Sequence, residues 1–377
     1  MHPVNGPTGD DVQAVQKAIN MEDQSSIGTG EVVLSGTLDF DSRTVQVNPQ
    51  NRPIIIRGDA TVANTINNGG GALDSNSKPQ AAFDVISSAQ PVTIQGLHFV
   101  SPKPSAIRVL ALKDLKITNC TIDGVSSAHI LPDQMNLEEF WSATGIVVNL
   151  AAQVSPARLV ISDNKMTIGS GTSDKNLGID RTLGIAILAA VSSSVEVDIT
   201  ITGNRVSTVT ARGIDFRGIT GKALIQGNKI AMGDQGVVRQ GVPFQVCGIR
   251  CQSSGDYRVM GNSINCGFTN AAGIRLEEVK KASADNNGIT MSFQDTPGDL
   301  NAGIYLNGGK CLDNGILDNI VSGTSRAGIF VGEGVTNTWI SSFFDSPRIP
   351  SIITIIDEGL HTTMLGAFTV IRTGVEM

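Results

Sequence analysis

Apolar and polar residues alternate with a period of two in many short segments of the chain. Clear examples are GIDFRG (213–218), GIRCQS (248–253), GIRLEE (273–278) and GIYLNG (303–308). This alternation places successive side chains on opposite faces of a β-strand. Ile and Val occupy most strand positions, whereas Gly and Asn mark the turns. The pattern predicts an all-β chain, because no long amphipathic helix is indicated after residue 21.

Two phrases recur and alternate strictly along the chain. The first is Gly-Ile-x-apolar, which begins at residues 145, 184, 213, 248, 273, 303 and 328. The second is apolar-x-(Gly/Asp/Asn)-Asn-x-apolar, with its asparagine at 164, 204, 228, 262, 287 and, more loosely, 319. ITNCTI, with Cys120, is an earlier degenerate copy. From each glycine to the next asparagine the distance is 14 to 20 residues, and from that asparagine to the next glycine it is 9 to 20 residues. Each unit therefore contains one segment of variable length, which we call the elastic loop.

Such units predict a solenoid. Each strand is too short to fold alone, but coils of about 25 residues can bury a shared core when they stack. An asparagine at the same turn of every coil can hydrogen-bond to the next one, as in other β stacks. The alternative architecture is a β-propeller, whose units of about 40–50 residues and own motifs are absent here.

The phrases resemble the parallel β-helix repeats of the pectate-lyase-like superfamily. The segments 9–19 and 28–40 also resemble the entry of that superfamily, a capping helix followed by a strand. In the helix, Asp10 and Gln13 have the spacing of a capping box, and Val12, Val15 and Ile19 share one face.

The resemblance implies a single-stranded right-handed parallel β-helix with an N-terminal capping helix. It divides the chain into an N-terminal cap (1–27), the β-helix (28–340) and a final segment (341–377). The final segment contains the apolar strands SIITIID and AFTVIR without the asparagine phrase. Two roles stay open for it, a C-terminal cap or oligomerisation strands.

Composition excludes several classes of function. The net charge of −7 argues against nucleic-acid binding, and the scarcity of aromatic residues, at 4% of the chain, argues against a stacking platform for sugars or bases. No apolar run reaches the roughly 18 residues of a membrane helix, so no membrane partner is predicted. The start of the sequence lacks the features of a signal peptide. The location is therefore open between a cytoplasmic, a phage-borne and a secreted protein whose signal has been removed.

The same residues give little indication of a metal or cofactor. Five cysteines without a CxxC pair and four histidines without ligand spacing make a zinc site improbable and predict reduced, mostly buried thiols. No phosphate loop, dinucleotide fingerprint or serine nucleophile elbow occurs. We predict no metal and no cofactor, with calcium bound by loop carboxylates left open.

The outward positions of the Gly-Ile sheet carry the densest group of functional side chains. Because Ile214 and Phe216 point inwards, the residue after each points outwards, and neighbouring coils lie about 4.8 Å apart. The first column is then Asp215, Arg250, Arg275 and Tyr305, and the second column is Arg217, Gln252, Glu277 and Asn307. By resemblance, the catalytic clefts of the superfamily lie on this sheet, walled by the elastic loops.

These positions give the candidate site. The predicted catalytic residues are Asp215, Arg250, Arg275, Glu277 and Tyr305. The predicted substrate-binding residues are Arg217, Gln252 and Asn307 from the second column and Trp141, Asp180, Arg181, Asp234 and Arg239 from the loops. Two reactions fit them. Arginines that neutralise a uronate, with Tyr305 as base, suit β-elimination, whereas Asp215 and Glu277 suit hydrolysis. The structural alternative is that these charges only stabilise neighbouring strands.

Three functions follow. The first is an enzyme that binds and cleaves an acidic polysaccharide as a lyase or hydrolase. The second is a non-catalytic phage tail or spike component, or another adhesive β-helix, for which a homotrimer is expected. The third is an intracellular cyclase or isomerase acting on a small molecule. The polygalacturonase-type catalytic pattern and the Asp-Pro-His signature of mannuronan epimerases are both missing from the sequence, so those catalytic sets do not carry over.

Overall fold

The structure is a computed structural model of the chain. It describes residues 1–7, 9–25, 28–71, 80–87, 89–126, 143–150, 156–169, 172–174, 179–188, 196–218, 221–233, 246–253, 255–268, 270–291, 301–323, 327–341, 354–359, 361–365 and 369–372. One helix of the described chain, α1, spans Asp11–Gln24, and the remaining regular structure consists of short strands. No helix in these ranges is long and apolar enough to cross a membrane.

Each coil contains up to three strands, and stacking the coils forms three parallel sheets, which we call A, B and C. Sheet A leads into the asparagine turn and contains β1 (His2–Asn5), β2 (Gly30–Asp39), β4 (Ile54–Gly58), β7 (Val92–Gln95), β10 (Asp114–Thr118), β13 (Ala157–Ser162), β17 (Val197–Thr202), β20 (Gly221–Gln226), β23 (Asp256–Met260), β26 (Ser283–Asp285), β29 (Gly315–Leu317), β32 (Trp339–Ser341) and β34 (Thr363–Met364).

Sheet B follows that turn and shares β2 with sheet A. Its other strands are β5 (Asn64–Asn67), β8 (His98–Val100), β11 (Thr121–Val125), β14 (Lys165–Ile168), β18 (Arg205–Val209), β21 (Lys229–Met232), β24 (Ser263–Cys266), β27 (Gly288–Met291) and β30 (Ile320–Ser322).

Sheet C contains the Gly-Ile strands. It is formed by β3 (Val45–Val47), β6 (Phe83–Ser87), β9 (Ile107–Leu112), β12 (Ala143–Asn149), β16 (Ile179–Leu188), β19 (Arg212–Arg217), β22 (Val246–Gln252), β25 (Ala271–Glu277), β28 (Ala302–Asn307), β31 (Ala327–Val331), β33 (Thr354–Asp357) and β35 (Thr369–Arg372). A short strand that the sequence pattern did not indicate, β15 (Thr172–Asp174), pairs antiparallel with the start of β16.

Strands of successive coils pair in parallel, which confirms the predicted β-helix. In sheet C, for example, Ile249 pairs with Ile214 of the preceding coil and with Ile274 of the following one. Parallel strands joined through a crossover are almost always connected in the right-handed sense. The chain is therefore a right-handed parallel β-helix.

The core is a continuous stack of inward side chains, in which Ile214, Ile249 and Ile274 are fully buried. The glycine of each Gly-Ile phrase is required by the narrowness of the coil. A Cβ atom at Gly248 would lie 2.4 Å from Cγ2 of Ile264 and 2.8 Å from the carbonyl oxygen of Gly273. The repeated glycine thus allows sheets B and C to approach each other closely.

The repeated asparagines form a buried ladder at the turn between sheets A and B. Asn204 donates its Nδ2 to Oδ1 of Asn228 at 3.0 Å, and Asn228 donates in the same way to Asn262 at 3.0 Å. The contact repeats along the stack and joins Asn164, Asn204, Asn228, Asn262, Asn287 and Asn319. The predicted coil-to-coil hydrogen bonds are confirmed.

Cys120 occupies the ladder position in an earlier coil, as the degenerate phrase indicates. Its backbone N–H donates to Oδ1 of Asn164 at 2.9 Å. A thiol has no amide with which to continue the chain of side-chain hydrogen bonds. The ladder of amides therefore ends at this coil.

Helix α1 covers the open end of the first coil. Asp10 accepts a hydrogen bond from the backbone of Gln13 at 2.9 Å, so the expected N-cap is present. Val15 and Ile19 are buried against the core, and Val12 packs at its margin. The helix thereby shields apolar residues that the first coil would otherwise expose to water.

The C-terminal strands extend the solenoid. β33 pairs in parallel with β31, and β35 pairs in parallel with β33, so sheet C gains two further rungs. Parallel pairing in sheet C thus continues beyond residue 340, as far as Arg372.

All five cysteines are free and buried, as predicted. Burial raises the pKa of Cys120, Cys247 and Cys266 to about 12. These thiols stay protonated at neutral pH and act as small apolar core residues.

Candidate functional site

The structure brings the two predicted columns into register on the outer face of sheet C. Asp215 pairs with Arg250, Arg250 with Arg275, and Arg275 with Tyr305. The same pairings align the second column of Arg217, Gln252, Glu277 and Asn307. Period-two alternation and the Gly-Ile phrase were sufficient to predict these neighbours.

Asp215 lies at the centre of a buried ionic cluster. Nε of Arg250 lies 2.6 Å from its Oδ1, and Nη2 of the same arginine lies 3.0 Å from its Oδ2. Nη1 of Arg212 and Nε of Arg217 each lie 3.2 Å from Oδ2. A charged carboxylate can leave water only when paired in this way. The carboxylate thus holds three guanidinium groups from two successive coils together.

The charged members of the first column are buried although they lie on the outer face of sheet C. Asp215 is 0% exposed, and Arg250 and Arg275 are each 4% exposed. Burial lowers the pKa of Arg250 to about 10, and the attraction of Asp215 opposes that shift. The guanidinium still keeps its charge at neutral pH.

The outer edge of the cluster is more accessible. Nη2 of Arg275 lies 3.0 Å from Oε2 of Glu277, whose side chain is 19% exposed. Cζ of Arg275 also lies 5.8 Å from the ring centroid of Tyr305, within cation–π range. Tyr305 is half-buried and packs edge-on against Phe330 with ring centroids 5.3 Å apart. A guanidinium, a carboxylate and a phenol therefore meet on two consecutive rungs.

The second column forms a half-exposed strip beside this edge. Arg217, Gln252, Glu277 and Asn307 each retain part of their surface in water. They offer a guanidinium, two amides and a carboxylate on four successive coils. Such groups can exchange hydrogen bonds with hydroxyl and carboxylate groups of an extended ligand.

The side chains of the predicted loop residues lie outside the part of the chain that the structure describes. Trp141, Asp234 and Arg239 lie outside the described residues. Asp180 and Arg181 fall within β16, where their backbones pair with Ser173 and Thr172, but their side chains lie outside the described residues. Their roles in binding remain predictions.

A second buried ion pair occupies the same outward column in earlier coils, and the sequence pattern missed it. Asp84 and Arg108 are 1% and 3% exposed, and Nε of Arg108 donates to Oδ1 of Asp84 at 2.9 Å. Gln46 precedes them in the column. The Gly-Ile phrase does not occur in β6 or β9. Asp84 and Arg108 could therefore be assigned to the column only by aligning the two strands through the pairing of Phe83 with Ile107.

The described residues contain no group of three or more His, Cys, Asp or Glu side chains that could hold a metal ion. The charged groups of the site are instead directed at one another.

Comparison with known proteins gives similar folds at low identity. No protein-family model and no curated protein matches the sequence. Among solved structures, the Dettilon tailspike protein is 13% identical with a TM-score of 0.47, covering 96% of this chain and 68% of its own. The DFA-IIIase of Arthrobacter chlorophenolicus A6 is 11% identical with a TM-score of 0.42, covering 95% and 85%.

The A-module of the Azotobacter vinelandii mannuronan C-5 epimerase AlgE6 is also similar. It is 12% identical with a TM-score of 0.33, covering 97% of this chain and 96% of its own. Similarity at this level says nothing about activity. The strand registers of this chain itself establish the parallel β-helix.

Proposed function

We propose that the chain binds an acidic polysaccharide along the outer face of sheet C and cleaves it by β-elimination. One observation carries the proposal: the buried Arg275 contacts two partly exposed groups, Glu277 at 3.0 Å and the Tyr305 ring at 5.8 Å. This combination supplies a cation for a uronate and an adjacent phenol for its proton.

Arg275 and Tyr305 can supply the charge neutralisation and the proton transfers that β-elimination requires. A substrate carboxylate displaces Glu277 from Arg275, and the guanidinium neutralises it, which acidifies the proton at C5 of the sugar. Tyr305, as phenolate, takes that proton, the electron pair forms the C4–C5 double bond, and the bond from C4 to the glycosidic oxygen breaks. The phenol then gives the proton to the departing oxygen, which regenerates the phenolate.

Burial favours elimination over hydrolysis by the pair Asp215 and Glu277. Asp215 is fully buried, and four guanidinium nitrogens lie within 3.2 Å of its oxygens. A carboxylate so enclosed has no access to a glycosidic oxygen or to an attacking water. Its role in the proposal is to fix the positions of Arg250 and Arg217.

The second column supports binding of an extended chain. Its four residues lie on successive rungs about 4.8 Å apart, so they follow the axis of the β-helix. Amides and a guanidinium replace the aromatic platforms that sugar-binding proteins often use, since only 4% of this chain is aromatic.

A non-catalytic module, such as a phage spike or adhesive β-helix, is the second candidate. The burial of Arg250 and Asp215 as a closed ion pair favours it, because such a pair stabilises strands without needing a ligand. The second column would then bind glycan without cleavage, and a homotrimer in light scattering is expected.

A polysaccharide panel separates these candidates. Pectate, alginate, hyaluronan, heparinoids and neutral glycans are incubated with the protein while unsaturated-product absorbance and reducing ends are followed together. We expect both signals to rise on an acidic glycan only. Reducing ends alone would indicate hydrolysis and contradict the proposal. Glycan binding without any product would leave the non-catalytic module.

A further inference from the structure

A ladder of three like charges runs along the outer face of sheet B. Lys165 pairs with Arg205, and Arg205 pairs with Lys229, on three successive coils. All three side chains are exposed. None of the ion pairs found in the described part of the chain involves them. Like charges directly opposite each other in a sheet repel, so this arrangement destabilises the isolated protein.

Sheet A of the same coils has a different arrangement of charges. One of its outward columns reads Asp114, Arg158, Asp198, Lys222 and Asp256, with each residue paired to the next. Charges of opposite sign alternate over five coils there, which is the favourable arrangement. The uniform sign on sheet B therefore contrasts with a neighbouring face of the same coils, in a chain whose net charge is −7.

The surroundings of the ladder are mostly polar and neutral, with two acidic residues near the Lys165 end. The adjacent outward column of sheet B contains Thr167, Ser207, Ala231 and Asn265. Asp123 borders it one coil earlier and contacts His98, with Oδ2 and Nε2 3.0 Å apart. Asp163 is exposed in the turn before Lys165. Hydroxyl and amide groups thus lie beside a row of exposed cations.

We infer that this basic ladder binds a linear acidic polysaccharide whose carboxylates follow the axis of the β-helix. Cations about 4.8 Å apart can pair with successive acidic groups of an extended chain. The serine, threonine and asparagine column can hydrogen-bond to sugar hydroxyls. No aromatic side chain stands in either column from Lys165 to Asn265, whereas single-stranded nucleic acids are typically held by stacking on such rings.

The inference shares its ligand class with the proposed function and rests on it in that respect only. The surface is a different sheet, so it would hold a long glycan at a distance from the reactive edge of sheet C. Binding to the ladder requires chain length, whereas cleavage at Arg275 does not.

The test compares two triple variants that change the net charge equally, from −7 to −10 by removal of three positive charges. The ladder variant carries Lys165→Gln, Arg205→Gln and Lys229→Gln. The control carries Arg158→Gln, Lys222→Gln and Arg258→Gln on sheet A, where all three residues are also exposed. Binding to labelled long-chain polygalacturonate, alginate and heparin is measured at low and at physiological salt.

We expect the ladder variant to bind the preferred glycan about tenfold more weakly, as three exposed ion pairs would give, with a shallower salt dependence. The control should stay within about twofold of the unaltered protein. Equal weakening by both triples would overturn the inference. So would tighter binding of oligodeoxythymidylate to the ladder, or absence of binding to all three polyanions.

Cleavage of a short uronate oligosaccharide gives an independent readout. We expect the ladder variant to cleave it at the unaltered rate. Ladder-dependent binding without any cleavage would refute the proposed elimination and leave this inference intact. Cleavage with no effect of the ladder variant on long-chain binding would refute this inference and leave the proposed elimination intact.

Discussion

Replacement of Asp215 by asparagine is expected to lower the free energy of unfolding by about 3–5 kcal/mol. The substitution keeps the shape of the side chain but removes the charge that three guanidinium groups share. An amide nitrogen in place of Oδ2 would remove the acceptor of Arg250 at 3.0 Å and of Arg212 at 3.2 Å, and the remaining 2.6 Å contact of Arg250 would be to an uncharged oxygen. Both arginines are almost fully buried, so water cannot replace the carboxylate. The measurement is urea unfolding followed by circular dichroism.

Asp198→Asn is the matched control for this experiment. Asp198 is an exposed aspartate of sheet A, paired in register with Arg158 and Lys222. Exposed ion pairs contribute at most about 1 kcal/mol. A loss at Asp215 no larger than the loss at Asp198 would show that the buried cluster does not depend on its carboxylate.

Replacement of Asn228 by leucine is expected to cost about 3–5 kcal/mol, because it interrupts the asparagine ladder in the middle. Oδ1 of Asn228 accepts from the backbone N–H and from Nδ2 of Asn204, both at 3.0 Å. Its own Nδ2 donates to Asn262 at 3.0 Å and to the carbonyl of Ile201 at 2.9 Å. Each buried group left without a partner costs about 1–3 kcal/mol.

Asn265→Leu is the control for the ladder. Asn265 is an exposed asparagine on the outer face of sheet B, in the coil next to Asn228. A surface substitution of this kind is expected to change stability by about 0.5 kcal/mol or less. Equal urea midpoints for the two variants would contradict the structural role of the ladder.

Much of the fold could be predicted because the repeat couples local pattern to position. Ile214 and Ile249 follow glycines in separate phrases and pair across coils. Asn204 and Asn228 likewise occupy the same turn in successive coils and are joined by a hydrogen bond. In a solenoid, residues with equivalent places in the phrase become neighbours, so the register of both columns followed from the sequence.

Burial of the first column could not be predicted in the same way. Alternation tells which face of a strand Asp215 occupies, but it does not tell how far that face is shielded from water. The pairing of β33 and β35 with sheet C was missed for a related reason. Those strands lack the asparagine phrase, which belongs to the turn between sheets A and B rather than to sheet C itself.

The most direct test of the account is the rate at which the unaltered protein and Tyr305→Phe form unsaturated product from the acidic glycan of the panel. Tyr257→Phe is the matched control, since it alters the other tyrosine, which is buried and packs edge-on against Phe216. We predict that Tyr305→Phe lowers kcat by about a hundredfold or more without changing stability, and that Tyr257→Phe keeps the activity. An undiminished rate of unsaturated-product formation by Tyr305→Phe would contradict the account. So would the absence of unsaturated product with every form of the protein on every acidic glycan.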